Sequence, residues 1–288
     1  MNRWLVGGIL LLSVLGARFL YQYRVESEER VGKEVRVTVP AGVFSHEQYD
    51  QVLQKYVDSQ GRVDYSALKS DSQNLYSYLD LLAVASPDDL PTLQDKLAFW
   101  INAYNALTIK GVLDHYPTKS VRKIKPIGGF FRRIKFQVGR QTYTLYDIEH
   151  EVIRSNFGEP RIHFALVCAS AGCPILENRA FLPDTLQEQL DNGAAKFINN
   201  PEKVRLDRKN RVLYLSKIFE WYAEDFEQTH DSVVDFVAEY LPEEDAVFLK
   251  REDVSVQYLK YDWSLNDQAH KQSRAMQNTS ALARQSGG

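Results

Sequence analysis

The chain has 288 residues, of which 44% are apolar, 12% aromatic and 25% charged, with 35 Lys and Arg against 38 Asp and Glu and two cysteines. That composition describes a globular protein and excludes a disordered chain, a collagen-like repeat, a disulfide-dense mini-domain and a polytopic membrane protein. A core of this size needs neither metal nor crosslink to fold, and a net charge of −3 argues against a chain built to coat nucleic acid.

Met1-Asn2-Arg3 precede a 14-residue uncharged run, Trp4 to Ala17, which Arg18 closes. A basic start followed by a short apolar stretch reads as a secretory signal. The run falls short of the about 20 residues that span a bilayer, yet Phe19, Leu20 and Tyr21 would extend it past a snorkelling Arg18. Residues 1–21 are therefore a signal peptide or an N-terminal membrane anchor. Either places the remainder in an extracytoplasmic compartment, the periplasm or cell envelope, where disulfides persist. Residues 22–42 read as a linker, 43–267 as one domain and 268–288 as a disordered tail with little to bury.

Apolar and aromatic residues at three- and four-residue spacing predict helices over 46–57 and 65–83, joined by the turn Ser59-Gln60-Gly61-Arg62. The next helix, 95–115, is apolar nearly all round and so enclosed by core, leaving only Lys96, Lys110 and Asp114 as a polar strip. Asn102, Asn105 and Thr108 fall on its buried side, where unbonded amides are costly. They either hold neighbouring backbone or wall a site.

Between His115 and Tyr146 lie eight basic residues and no acid: Lys119, Arg122, Lys123, Lys125, Arg132, Arg133, Lys135 and Arg140. With the embedded Gly128-Gly129-Phe130-Phe131, this segment reads either as a patch that meets anionic lipid or an envelope polymer, its phenylalanines dipping into the interface, or as a solvated loop with those rings tucked inward. Strands are predicted at 134–138 and 141–144, joined by Gly139-Arg140, at 161–168, and at 211–215. Thr144 with Asp147 forms a capping box for a helix whose inward stripe carries Glu149 between Val152 and Ile153, with His150 on the opposite side. A further helix spans 184–198. Helices first and mixed elements afterwards suggest an α+β fold, a mixed sheet with a buried central helix.

Chemistry-bearing residues concentrate in the stretch from Arg161 to Pro174. Phe164 to Val167 fit a strand buried on both faces, and Ala169-Ser170-Ala171-Gly172 a tight loop at its carboxyl end. A thiol there, Cys168 or Cys173, could serve as nucleophile with His150 or His163 as base and Glu149 or Asp225 as orienting acid. His163 faces away from Cys168, which leaves Cys173 better placed. The same two cysteines could instead form a disulfide. The Cys and His spacing matches no compact zinc signature, and no cofactor is expected.

Gly61-Arg62-Val63-Asp64-Tyr65, Phe99 to Leu107, Tyr146 to His150, His163 to Pro174, Leu215 to Phe226 and Tyr261 to Asn266 together resemble the domain of unknown function 547 family, over about residues 46–266. The resemblance implies no established reaction. It does imply that Asn102, Asn105, Glu149, His150, His163, both cysteines, Trp221 and Asp225 are motif positions. A weaker likeness, of a buried helix followed by a His-bearing strand, is to papain-like and transglutaminase-like proteins, although Trp100, Ile101 and Asn102 stand where their nucleophilic Cys begins the helix. Two functional readings result. One is a thiol-dependent hydrolase or acyl-transfer enzyme of the envelope, and the other is a non-catalytic envelope interaction domain with a Cys168–Cys173 crosslink.

Overall fold

The structure, a computed structural model, describes residues 42–269. The signal or anchor, nearly all of the linker and nearly all of the tail lie outside the described residues. Within them, no helix is long and apolar enough to cross a membrane.

Helix α1 (Glu47–Tyr56) forms as its periodicity requires, burying Tyr49, Val52, Leu53 and Tyr56. The Asp58 carboxylate then accepts from the backbone N–H groups of Gln60 and Arg62, and Gly61 takes a left-handed φ of 69°, turning the chain back. The helix expected over 65–83 is two helices, α2 (Tyr65–Ser70) and α3 (Gln73–Val84). It breaks at Asp71, whose carboxylate leaves the helical path to accept from Lys55 and Tyr56 on α1. Such side-chain bonding is how Asp competes with continued helix.

Helix α4 (Leu93–Leu113) opens with a Thr92/Asp95 capping box and is buried at every residue from Leu97 to Ile109. Lys110 and Asp114 pair on its surface edge. After the short α5 (Gly129–Arg133) comes the predicted hairpin, β1 (Phe136–Val138) and β2 (Gln141–Tyr143), antiparallel, with Gly139 and Arg140 both at positive φ. That geometry matches the right-handed strand twist. The tip docks on the end of α3, where the Leu82 and Ala83 carbonyls accept its N–H groups.

The predicted capping box is present: the Thr144 N–H donates to Asp147, and the Asp147 N–H donates to the Thr144 hydroxyl. The helix it opens is a π-helix, Asp147–Arg154, which ends in the turn α6 (Ser155–Phe157). The strand expected over 161–168 does not form. Pro160–Phe164 is a 3₁₀ helix and Ala165–Val167 an irregular buried segment that leads to the half-buried Cys168. An apolar run this short carries no periodicity to separate a strand from any other buried backbone. His163 therefore sits on a helical turn, without the strand on which the likeness to papain-like proteins rested.

Helix α7 (Leu186–Ile198) leads to the mixed sheet of β3 (Val204–Asp207), β4 (Val212–Leu215) and β5 (Ser255–Tyr258), with β3–β4 antiparallel and β4–β5 parallel. Four helices, α8 (Lys217–Trp221), α9 (Ala223–Glu227), α10 (Val233–Tyr240) and α11 (Glu243–Arg251), fill the crossover from β4 to β5. The architecture is α+β, with one apolar cluster around α4 and a second between the sheet, α7 and α10. Residues 261–267 then run back across the molecule, bridging Ser170 through Leu265 and Val63 through Asp267.

His46, just before α1, is 7% exposed, and its Nδ1 lies 2.8 Å from the Tyr78 hydroxyl. Burial lowers its pKa to about 4. The unfolded chain binds this proton near pH 6.5, so stability is full above that pH and declines as pH falls toward 4, by about 3 kcal/mol in all. Urea denaturation between pH 7 and 4 should show the decline, and His46→Phe should flatten it. An unchanged slope in that variant would assign the effect to other groups.

Candidate functional site

The two α4 asparagines clamp backbone. Asn102 donates to the Phe181 carbonyl at 2.8 Å and accepts from the Phe181 N–H at 3.0 Å. Asn105 donates to the Ala165 carbonyl at 2.9 Å and accepts from the Val167 N–H at 2.9 Å. Asn105 thus supplies the buried 165–167 segment with the bonds a neighbouring strand would give, which is why that segment stays apolar yet irregular.

Against α4 lies a polar cluster that joins Tyr104 of that helix to residues of the π-helix, the 3₁₀ helix and the α8–α9 corner. Glu149, 9% exposed, accepts from the Tyr104 hydroxyl at 3.1 Å and from the Tyr222 hydroxyl. These two hydroxyls satisfy the inward-facing carboxylate, and His150 lies beside it, with Nε2 3.9 Å away. The wheel put His150 opposite Glu149. The π-helix packs more residues into each turn and brings the two side chains to one cluster. Arg154 joins them: its guanidinium grips Asp225 at 2.6 and 2.8 Å, and its Nη1 donates to His150 Nδ1 at 2.6 Å, which leaves the His150 proton on Nε2. His163 Nε2 donates to Asp225 at 2.6 Å, while its ring stacks on Tyr222 at 3.8 Å.

The electrostatics follow from burial and these bonds. Burial alone would raise the Asp225 carboxyl, but the hydrogen bonds from His163 and Arg154 outweigh it and hold the group well below the usual carboxylate range. Burial lowers His163 against the pull of Asp225, and lowers His150 against that of Glu149. Burial, and then the Glu149 charge, push Tyr104 and Tyr222 far up, so both hydroxyls remain proton donors.

Cys168 and Cys173 are joined, with an S–S distance of 2.03 Å, and no free cysteine is present among the described residues. Of the two readings open for this pair, thiol or crosslink, the structure contains the crosslink, and the imidazoles are bonded elsewhere, His163 to Asp225 and His150 to Arg154. The loop is tight as predicted, with Ala169 at positive φ and the Cys173 N–H donating to the Ser170 carbonyl. Tyr261 covers it, its hydroxyl 3.2 Å from each sulfur and 3.1 Å from the Ser170 hydroxyl. Gly172 permits this cover, because a Cβ there would stand 2.7 Å from the Tyr261 ring. Among the described residues, no group of three or more His, Cys, Asp or Glu is placed to hold a metal. Reducing the disulfide should lower stability by about 2 kcal/mol, the value for so short a loop. Denaturant midpoints with and without reductant measure this, and identical midpoints would show a bond that stabilises nothing.

Beside the loop opens a cleft of about 750 Å³, lined by 170–175, by Lys203 and Lys217, and by the returning 259–267 segment. Neither Glu149 nor the α4 asparagines line it, so the site residues expected from sequence divide among the polar cluster, the disulfide loop and the two backbone clamps. Arg62 also lines the cleft, and its Nη1 is buried without a hydrogen-bond partner. On the outer side of Tyr261 are Trp221, 46% exposed, and Trp263, with ring centroids 4.9 and 4.6 Å from it and Arg122 stacked 5.4 Å over Trp263. In the basic segment, Phe130 is 1% exposed and Phe131 packs on the core, which corrects the picture of rings dipping into an interface; Ile127, 98% exposed, is the apolar residue at its surface.

Tyr104, Tyr222, Tyr261 and Arg154 escaped sequence reasoning. The tyrosines lie within the stretches that carry the family resemblance, but an aromatic at helical spacing reads as core. Arg154 becomes visible only once the π-helix sets its guanidinium against both His150 and Asp225.

These features define a disulfide-bonded α+β domain with a buried Glu–Tyr–His–Arg–Asp cluster. Residues 88–198 match the model of a family described as "Protein of unknown function, DUF547", in agreement with the resemblance carried by the sequence motifs. The match takes in Asn102, Asn105, Glu149, His150, His163 and both cysteines, and ends before Trp221 and Asp225. No curated protein and no solved structure matches the chain significantly.

Proposed function

We propose that the chain is an exported, disulfide-bonded binding domain of the cell envelope and not a thiol-dependent hydrolase or acyl-transfer enzyme. The observation that carries this reading is the Cys168–Cys173 bond, which removes the nucleophile such an enzyme requires. The bonding of Asn102, Asn105, His163 and Asp225 within the scaffold supports it. Export supplies the compartment in which the crosslink persists. Maleimide trapping of the native exported protein should find no free thiol before reduction and two afterwards. Two free thiols at the outset, or selective labelling of Cys168 by a thiol-reactive activity probe without reductant, would return the enzyme reading.

The surface offered to a partner is the basic segment 119–140, whose exposed cations suit anionic lipid or an acidic envelope polymer. With Phe130 and Phe131 folded inward, attachment there is electrostatic. Co-sedimentation with liposomes should therefore rise with anionic lipid content and fall as salt is added. Binding indifferent to both would remove the segment as the contact surface.

A further inference from the structure

We propose that the cleft beside the disulfide loop binds an oxyanion, the carboxylate or phosphate of a small ligand, through Arg62, Lys119 and Lys260. The inference rests on reading the domain as a binding module. A volume of about 750 Å³ is that of a small-molecule site. Five basic side chains line it against three acidic ones, and the bonding inside the domain sorts them further. Lys203 is spent on the Ala171 carbonyl at 2.7 Å, and Lys217 on Glu220. Among the acids, Asp267 accepts from the Tyr116 hydroxyl, an Asp262 oxygen accepts from the Ser264 N–H, and the Glu202 charge acts on Lys203.

Arg62, Lys119 and Lys260 remain, with no side-chain hydrogen bond or ion pair among the described residues. Arg62 is the telling one. The residue borders the cleft while its Nη1, turned from solvent, has no acceptor, although buried donors of charged groups are almost always paired. A guanidinium presents a planar fork whose complement is a carboxylate or phosphate, and two exposed ammonium groups at the same cleft add attraction without fixing geometry.

The test is calorimetric titration of the full-length protein with inorganic phosphate and, separately, with N-acetylglycine, at ionic strength held constant with sodium chloride. Saturable one-to-one binding of at least one probe is expected, and which one binds identifies the source of the oxyanion. The dissociation constant should rise about tenfold or more in Arg62→Gln and in the doubly substituted Lys119→Ala/Lys260→Ala, whose exposed positions leave folding intact. Arg62→Lys, which keeps the charge and loses the fork, should fall between. No saturable binding of either probe would overturn the proposal, and so would binding that both substitutions leave unchanged. A protein with no free thiols and no binding refutes the cleft alone, whereas free thiols in the native protein refute the binding-module reading whatever the titration gives.

Discussion

Asn105→Ala should lower the stability of the domain by about 3 to 5 kcal/mol, because it strands both the Ala165 carbonyl and the Val167 N–H in a dry core. Each unsatisfied buried group costs on the order of 1 to 3 kcal/mol, and the lost side-chain volume adds to it. Asn105→Asp separates the two bonds. Its carboxylate can still accept from Val167 but cannot donate to Ala165, and it brings a charge to a site that is 2% exposed. Equilibrium unfolding in urea should rank wild type above both variants by several kcal/mol. A loss under 1 kcal/mol in Asn105→Ala would mean that the 165–167 segment finds other partners and that the clamp is not what shapes it.

Asp225→Ala should cost a similar amount, about 3 to 5 kcal/mol, since removing one partner of a buried pair leaves the others uncompensated. Here two groups are left, Arg154 and His163, both mostly buried. The pH dependence separates this from simple loss of packing. With the Asp225 carboxyl held well below its ordinary range, its stabilisation is complete above about pH 4 and is lost as pH falls further. His163, lowered by burial, resists protonation that the unfolded chain accepts below about pH 6.5, so it too makes acid destabilising. The gap between wild type and Asp225→Ala should therefore hold at neutral and mildly acid pH and narrow progressively between about pH 4 and pH 2. A gap that stays constant across that range would rule out the charge network as the source of the effect.

Where a residue pattern has one physical solution, the fold was legible in advance. Helix α4 is apolar on every side and can only be surrounded; the Gly139-Arg140 turn fits only a tight hairpin; the Thr144/Asp147 pair can only begin a helix. Phe164 to Val167 has several solutions, because four buried apolar residues are compatible with any backbone whose polar groups find partners. Those partners are Asn105 side-chain atoms some sixty residues away, which no local pattern displays. The polar cluster was half legible for a related reason. Glu149 stood out as a charge on an inward stripe, but the position of His150 depends on whether the helix is α or π, and no local residue pattern announces the wider turn. The cysteines were recognised as a pair with two chemistries, and only their proximity in three dimensions decided between them.

The returning segment 261–267 also sets a schedule. The Tyr65 hydroxyl donates to Asn266, 201 residues further along, and Val63 pairs with the same stretch. At about 5 to 20 residues per second, Val63 and Tyr65 wait roughly 10 to 40 s after they are synthesised for the segment that bonds them. For that interval the Tyr65 hydroxyl and the Val63 backbone lack these partners, and this corner of the domain is completed only when residues 261–267 arrive.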